Sequence, residues 1–266
     1  MKLIFSEVMP DYTNYQFPYV VWAAPEQDEP ISELYSHGFM PSKSNPPIYY
    51  LSRSVRVNLA NFSPSSENRR ILRKHPELQM KIIPRTEMVI TEEIIDLCLN
   101  CAAERFGKDV MPRSRLNGIL SSPYTSHFLC FFYKEKLTGL VTVFMNAPHF
   151  AHYSFAFYNV NEKLYSMGAF MMTSAVLAFS LENIQYVYLG SCYSQRALYK
   201  TQFKGCEFFN GFRWSDNIKE LKYIIHNDEQ KTHIGKHLLE FDEYLENFCG
   251  DFQQLIYSSK ISVTLE

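Results

Sequence analysis

The order of hydrophobic periods between residues 126 and 214 limits the possible folds of this 266-residue chain more than any other feature. Residues 126–146, SHFLCFFYKEKLTGLVTVFMN, predict two strands around a Lys-Glu-Lys turn, and residues 149–160, HFAHYSFAFYNV, predict a third strand. After them the sequence predicts a helix over 166–183, a short apolar strand over 184–190, a helix over 194–203 and a last strand over 206–214. A further helix is predicted over about 91–106. This order predicts an α+β fold, with a mixed sheet and flanking helices.

The same order of elements resembles the acyltransferase fold of the GCN5-related N-acetyltransferases (GNAT-like). The first 90 or so residues differ from it, because they are rich in proline and in extended aromatic runs. They also contain SPSSENRRILRKHPEL, in which serine residues precede a basic helical stretch. We therefore predict a smaller N-terminal lobe with a basic helix over 1–90, a GNAT-like acyltransferase domain over 91–225 and a C-terminal helical extension over 226–266.

Charge and composition restrict the partners and the location of the protein. Lys and Arg number 26 and Asp and Glu 28, so a nucleic-acid partner has to be bound by a local basic face. No apolar run reaches the roughly 18 residues of a membrane span, and no signal-peptide core is visible. We expect a cytoplasmic protein without membrane contact.

Cysteine and histidine patterns raise the question of a metal. The six cysteines are scattered, which is not typical of a disulfide framework, and we expect them to be reduced. Cys98 and Cys101 fit the apolar face of a helix, with metal or redox use as the alternative. Two histidine pairs, His149 with His152 and His233 with His237, could suggest a metal site, and the second pair is one helical turn apart, but no acidic residue follows at a metal-motif spacing. We expect surface histidines and no metal site.

Four segments in order carry a more specific resemblance. They are LYSHGFMPS (34–42), VRVNLANFSPSSENRR (55–70), FAFYNVNEKLYSMGAF (155–170) and YVYLGSCYSQRALYKTQFKGCEFF (186–209). Over most of residues 31–214 the chain resembles the arginyl-tRNA and bacterial leucyl-tRNA protein transferase family. The resemblance implies transfer of an amino acid, Leu or Arg, from charged tRNA to the N-terminal α-amino group of a protein, typically one that begins with an acidic residue. The implied partners are aminoacyl-tRNA and a protein or peptide N-terminus.

This reaction needs little from acid or base groups of the enzyme. The donor is already an activated ester, and an α-amino group is about a tenth deprotonated at neutral pH. Acceleration can therefore come from positioning the two substrates and from hydrogen-bond donors at the developing oxyanion.

The resemblance, together with the residue types, assigns candidate roles. The candidate tRNA-binding residues are Arg56, Asn68, Arg69, Arg70, Arg73 and Lys74. The candidate donor-binding residues are Ser166, Gly168 and Gly190. The candidate catalytic residues, around the end of the predicted 184–190 strand, are Tyr188, Ser191, Tyr199 and Lys200. Ser191 could donate to the oxyanion, Tyr199 could relay a proton, and Lys200 could bind a phosphate or an acceptor carboxylate. Glu207 is the candidate ligand for the acceptor ammonium group.

Each assignment has a structural alternative. The basic helix could be a solvated face, and Arg56 could be a paired structural cation. Gly168 could be a simple helix-entry glycine, Tyr188 a core residue and Glu207 a member of a structural ion pair. Lys200 could lie on the surface.

Three features depart from the family pattern. Family members commonly carry a cysteine cluster before the segment that matches SVRVNL, where this chain has Tyr49 and Ser52, so we expect no metal or iron–sulfur cofactor. Asn159 and Asn161 stand where an acidic residue is common, and the link after Gly190 is about two residues shorter. The alternatives to an aminoacyl-tRNA transferase are therefore a GNAT-type enzyme with an acyl-CoA or other donor, and a non-catalytic tRNA- or degron-binding relative.

Overall fold

The computed structural model describes residues 1–13, 16–160, 166–230 and 238–259. The strands are β1 (Lys2–Glu7), β2 (Tyr19–Ala24), β3 (Phe39–Ser44), β4 (Pro47–Leu51), β5 (Ser54–Asn58), β6 (Leu78–Pro84), β7 (His127–Tyr133), β8 (Lys136–Asn146), β9 (Phe150–Tyr158), β10 (Tyr186–Ser191), β11 (Cys206–Phe209) and β12 (Trp214–Ser215). The α-helices are α1 (Ile31–Ser36), α2 (Ser66–Leu72), α3 (Glu92–Phe106), α4 (Arg113–Leu120), α5 (Met167–Leu181), α6 (Ile218–Gln230), α7 (Asp242–Tyr244) and α8 (Phe252–Ser258). Short 3₁₀ helices span Leu59–Asn61, Arg85–Glu87, Gln195–Thr201 and Leu238–Glu240, and a π-helical turn spans Leu245–Cys249.

The chain divides into two compact units. The sheet unit consists of Arg56–Gly190 and Phe203–Gly205. The lobe unit consists of Met1–Val55, Ser191–Gln202 and Cys206–Glu266. The chain passes from one unit to the other within β5 and within β10.

The sheet unit contains a mixed sheet with the strand order β5-β10-β9-β8-β7-β6. Strands β6 to β9 pair antiparallel with their neighbours, and β10 pairs parallel with β9. The order of three strands, a helix and a further strand over 127–191 is the predicted one. The predicted α+β class, with a mixed sheet and flanking helices, is confirmed.

This sheet is buried on both faces, which explains why β7 reads as a nearly continuous apolar run. Leu129 and Phe131 belong to the core that includes residues of α2 and α5. Phe128 and Cys130 point to the core that includes residues of α3 and α4. Alternate residues of one strand therefore serve two cores. Among the described residues, no helix is long and apolar enough to cross a membrane.

The basic helix α2 begins where the serine residues predicted it. The Ser65 Oγ accepts the backbone N–H of Asn68 at 3.1 Å, and the Asn68 Oδ1 accepts that of Ser65 at 3.0 Å. This reciprocal pair is a capping box, which satisfies two donors that the first helical turn leaves without partners.

The lobe unit has its own antiparallel sheet, with the strand order β1-β2-β4-β3, and its own hydrophobic core. Gly38, which follows α1, has a φ of +83°, and a Cβ there would collide with the ring of Phe209. Only glycine therefore combines this conformation with this close approach. The indole Nε1 of Trp214 donates to the Ser36 carbonyl at 2.7 Å, and this hydrogen bond connects the end of α1 to the β11–β12 hairpin.

The observed division differs from the predicted boundaries at residues 90 and 225. Strand β6 and helix α2 lie before residue 90 but belong to the sheet unit, because β6 pairs with β7 and α2 shares a core with α5. Residues 1–55, in turn, share the lobe unit with the segment after Cys206. The sequence prediction followed chain order, whereas the contacts join segments that are far apart in the chain.

Candidate active site

Strands β9 and β10 pair along only part of their length. They pair only through Phe150–His152 on β9 and Tyr186–Tyr188 on β10. No further pair joins these two fully described strands, although β9 continues to Tyr158 and β10 to Ser191. Backbone groups on this edge of β9 after His152 are therefore not used by β10, and we call this unpaired stretch the cleft between β9 and β10. Buried backbone groups need partners, so the cleft offers hydrogen bonds to a ligand.

A β-bulge lies in the same part of β9. Val143 pairs with Tyr153 and Val141 pairs with Ala156, so two residues of β9, Ser154 and Phe155, oppose Thr142 alone. The backbone N–H of Phe155 donates to the Thr142 Oγ1 at 3.1 Å. Bulges redirect side chains and end regular pairing, and they are frequent next to active sites.

The N-terminus of α5 brings two cations close to the candidate donor-binding residues. Ser166 has a φ of +65° and its side chain caps no backbone N–H of α5. The Lys74 Nζ donates to the Ser166 Oγ at 3.1 Å. A Cβ on Gly168 would lie 3.5 Å from an Arg105 guanidinium nitrogen and 3.4 Å from the Tyr158 ring. Helix N-termini attract anions, and the lysine and the arginine add to this potential.

Arg105 and Tyr158 form a pair that sequence reasoning missed. The Arg105 Nη1 donates to the Tyr158 hydroxyl at 2.8 Å, across 53 residues of sequence. Tyr158 also lines a cavity of about 440 Å³ in the sheet unit. The polar residues of its lining are Glu93, Asp96, Asn100, Lys136 and Asn159. Tyr158 lies in the segment FAFYNVNEKLYSMGAF, but Arg105 stands in none of the four family segments, so no local signal could have joined the two residues.

Helix α2 and the two residues after it present four candidate tRNA-binding cations to solvent: Arg69, Arg70, Arg73 and Lys74. Three of them have partners, and that of Lys74 is Ser166. The Arg70 guanidinium makes two 2.6 Å hydrogen bonds to the Glu67 carboxylate, and the Arg69 Nη1 donates to the Pro64 carbonyl at 2.6 Å. Asn68 is fully buried and its side chain caps the helix.

Arg56 lies apart from this exposed set. Its side chain is only 7% exposed, its guanidinium carbon lies 4.0 Å from the Tyr186 ring centroid, and its Nη1 donates to the Tyr188 hydroxyl at 3.3 Å. Tyr188 is itself 2% exposed. These contacts favour the structural alternatives for Arg56 and Tyr188, because burial limits their contact with a large ligand.

The remaining candidate residues follow the end of β10. Gly190, with a φ of +81°, is the last residue of the sheet unit in this strand. The next residue, Ser191, belongs to the lobe unit, and its carbonyl accepts a hydrogen bond from the Lys200 Nζ at 2.7 Å. Tyr199 is 47% exposed, and Glu207 is half-buried on β11. The predicted 194–203 helix is a 3₁₀ helix, Gln195–Thr201.

In the described ranges, no group of three or more His, Cys, Asp or Glu side chains could hold a metal ion. Cys98 and Cys101 belong to the core around α3 and α4, and burial raises the pKa of both thiols. At the expected cysteine-cluster positions, Tyr49 is buried, and the buried Ser52 hydroxyl hydrogen-bonds the Ser54 hydroxyl at 2.8 Å. Of the predicted surface histidines, His149 is exposed, whereas the prediction is wrong for His152, which is 7% exposed. His233 and His237, and Asn161, lie outside the described residues.

Comparison with known proteins gives matches that cover this site. Residues 95–210 match the family model described as "Arginine-tRNA-protein transferase, C terminus". The "Aspartate/glutamate leucyltransferase" of Pseudomonas aeruginosa (strain LESB58) is 29% identical over 169 residues, which cover 60% of this chain and 69% of that protein. The protein of the same name from Pseudomonas entomophila (strain L48) is 27% identical over 174 residues, with the same coverage.

Solved structures are similar at a lower level. L-PGS from Bacillus licheniformis has a TM-score of 0.41 at 10% identity, covering 60% of this chain and 50% of that one. The catalytic domain of Tetrahymena GCN5 histone acetyltransferase, in complex with coenzyme A, has a TM-score of 0.30 at 18% identity, covering 41% and 66%. Both scores are below 0.5, so the fold assignment depends on the observed strand order instead.

The family match begins in α3, includes β7 to β10 with the cleft, the bulge and α5, and ends just after β11. It therefore contains the elements that form the candidate site, together with Ser191, Tyr199, Lys200 and Glu207. These matches relate residues 95–210 of the chain to the C-terminal part of the arginine-tRNA-protein transferase family and support a relationship to the aminoacyl-tRNA protein transferases.

Proposed function

We propose that this protein transfers leucine from Leu-tRNA to the N-terminal α-amino group of proteins that begin with Asp or Glu. The family match over residues 95–210, which contain the cleft between β9 and β10, is the observation that carries the proposal. The choice of leucine and of acidic acceptors is supported by the name of the Pseudomonas relatives, "Aspartate/glutamate leucyltransferase". Arginine is the alternative donor.

The donor is proposed to bind along the sheet unit. Exposed cations of α2 attract tRNA phosphates, and the Lys74–Ser166 contact joins this helix to the N-terminus of α5. Gly168 lets a ligand approach the free N–H groups of that first turn, close to Arg105. In this proposal, the terminal adenosine or its phosphate occupies the α5 N-terminus and directs the aminoacyl ester into the cleft.

In this proposal, the protein accelerates the reaction mainly by positioning the aminoacyl ester and the acceptor amine. The ester is already activated, and the neutral fraction of the acceptor amine can attack it without a strong base. Donors that meet the oxyanion lower the barrier further, and Ser191 and Tyr199 are our candidates for that donor and for proton relay. Glu207 is our candidate ligand for the acceptor ammonium group.

A transfer assay with the purified full chain tests the proposal. Radiolabelled Leu-tRNA or Arg-tRNA is incubated with peptides that begin with Asp, Glu, Arg or Ala, and acetyl-CoA is the competing donor in a parallel arm. We expect label from Leu-tRNA on the Asp and Glu peptides, with mass spectrometry locating the leucine on the α-amino group. Acetyl transfer without aminoacyl transfer would assign the cleft to an acyl-CoA enzyme. Binding of tRNA without any transfer would indicate a non-catalytic relative.

A further inference from the structure

Lys200 of the lobe unit carries a positive charge in an unusual setting. It lies near the end of the 3₁₀ helix Gln195–Thr201, is half-buried, and donates from its Nζ to the Ser191 carbonyl at 2.7 Å. Burial lowers the pKa of this lysine. An ammonium group has three hydrogen-bond donors, and this carbonyl satisfies one of them.

The described part of the chain supplies no counter-ion for this ammonium group. No carboxylate forms an ion pair with Lys200 there, and Cys192 is the titratable group whose field reaches it. Cys192 is fully buried, and its burial raises the pKa of the thiol above its ordinary value. The thiol is therefore neutral at pH 7 and cannot balance the charge. A cation that is partly removed from water without a counter-ion is destabilising unless an anion binds to it.

A second donor without a partner lies in the same stretch of chain. Gln202 is the C-terminal cap residue of the Gln195–Thr201 helix. Its Nε2 is buried and has no hydrogen-bond partner among the residues described. Buried donors nearly always have partners, so this stretch of the lobe unit contains a donor whose acceptor is absent from the described residues.

We infer that Lys200 binds the side-chain carboxylate of an acceptor that begins with Asp or Glu, and is thereby the residue that selects acidic N-termini. The inference rests on the proposed function and names the acceptor subsite. We assign this position to a carboxylate and not to a tRNA phosphate, although either anion could pair with an ammonium group. The polyanionic donor is already matched by the exposed cations of α2 in the sheet unit.

The substitution Lys200→Met tests this, since it removes the charge and keeps an unbranched chain. Transfer is measured on peptide pairs with Asp or Asn, and Glu or Gln, at the first position, because the members of each pair differ in charge and hardly in shape. The wild type should prefer Asp over Asn by about 10- to 100-fold in kcat/KM, and Lys200→Met should lose that preference. The KM for Leu-tRNA should stay unchanged.

Arg196→Met is the matched control, because Arg196 is an exposed cation on the same short helix. This variant should keep the Asp/Asn preference. Lys200→Glu should reverse the preference, so that peptides beginning with Arg are used better than those beginning with Asp. Thermal unfolding of each variant shows that the protein remains folded.

Two results would overturn the inference. One is that folded Lys200→Met has the same ratio of kcat/KM for Asp and Asn peptides as the wild type. The other is that the variant has a raised KM for Leu-tRNA and an unchanged ratio of kcat/KM for the two peptides. That result would show that Lys200 binds the tRNA donor and not the acceptor. If the wild type transfers no amino acid at all, the proposed function fails instead. Fluorescence anisotropy of labelled Asp and Asn peptides on wild type and Lys200→Met then decides the inference without catalysis, since equal affinities for both proteins would contradict it.

Discussion

At the scale of single residues, Glu220 shows how a buried charge is held without a cation. It is 1% exposed, and its carboxylate accepts hydrogen bonds from the Asn210 Nδ2 at 2.8 Å, the Ser215 Oγ at 2.6 Å and the Tyr244 hydroxyl at 2.7 Å. These donors come from the turn after β11, from β12 and from α7. The carboxylate therefore connects three segments of the lobe unit to α6, and it satisfies each donor.

We expect Glu220→Gln to lower the free energy of unfolding by about 2–4 kcal/mol, because an amide NH₂ would face groups that already donate. Urea denaturation followed by tryptophan fluorescence measures this change. Glu246→Gln is the matched control, since Glu246 is exposed in the same unit, and it should shift the value by less than about 0.5 kcal/mol. A free energy of unfolding that is unchanged in Glu220→Gln would show that the network is not needed for stability.

At the scale of elements, helix α2 is the basic surface that the sequence pattern indicated. Its capping box was predictable, because serine residues preceded the helix. The pairing of Arg70 with Glu67 is an exposed i,i+3 ion pair, which is weak and can be exchanged for a phosphate. If α2 is only a solvated face, its cations do not contribute to tRNA affinity. The salt dependence of tRNA binding therefore distinguishes the two interpretations.

Replacing Arg69 and Arg70 together by Ala should weaken tRNA binding and flatten its salt dependence, because each lost phosphate contact removes about 0.9 from the slope of log K against log salt. Filter binding across a salt series gives that slope. The double change Arg113→Ala with Arg115→Ala removes the same charge from α4 and serves as the control. If both double variants show the wild-type slope, α2 is a solvated face and not a tRNA contact.

The elements also show where prediction from sequence succeeds and where it stops. The β7 and β8 strands, the α3 and α5 helices and the glycine stop after α1 follow local periods and turn residues, and they were predictable. The bulge at Ser154 and Phe155 was not, because regular alternation in HFAHYSFAFY looks the same with or without an extra residue opposite Thr142. The separation of β9 from β10 depends on which residues of two distant segments pair, and no local pattern encodes it.

At the scale of the whole molecule, two units are built from interleaved parts of one chain. The predicted boundaries followed chain order, but β5 and β10 each carry the chain from one unit to the other. The formal net charge of -2 gives no global attraction to RNA, and we therefore propose that the donor is bound by local groups such as α2, Lys74 and Arg105. We propose that transfer takes place at the sheet-unit cleft, with the donor at the N-terminus of α5.

The kcat/KM for Leu-tRNA of Gly168→Ala tests that claim most directly. The added Cβ would make ordinary contacts with Tyr158 and Arg105, and alanine favours a helix, so the melting temperature should not fall. The methyl group would nevertheless narrow the approach to the α5 N-terminus, and we predict a loss of about tenfold or more in kcat/KM. Gly118→Ala is the control, because a Cβ on this α4 glycine meets nothing within 4 Å, and it should keep wild-type transfer. Wild-type kcat/KM in folded Gly168→Ala would contradict the placement of the donor in this cleft.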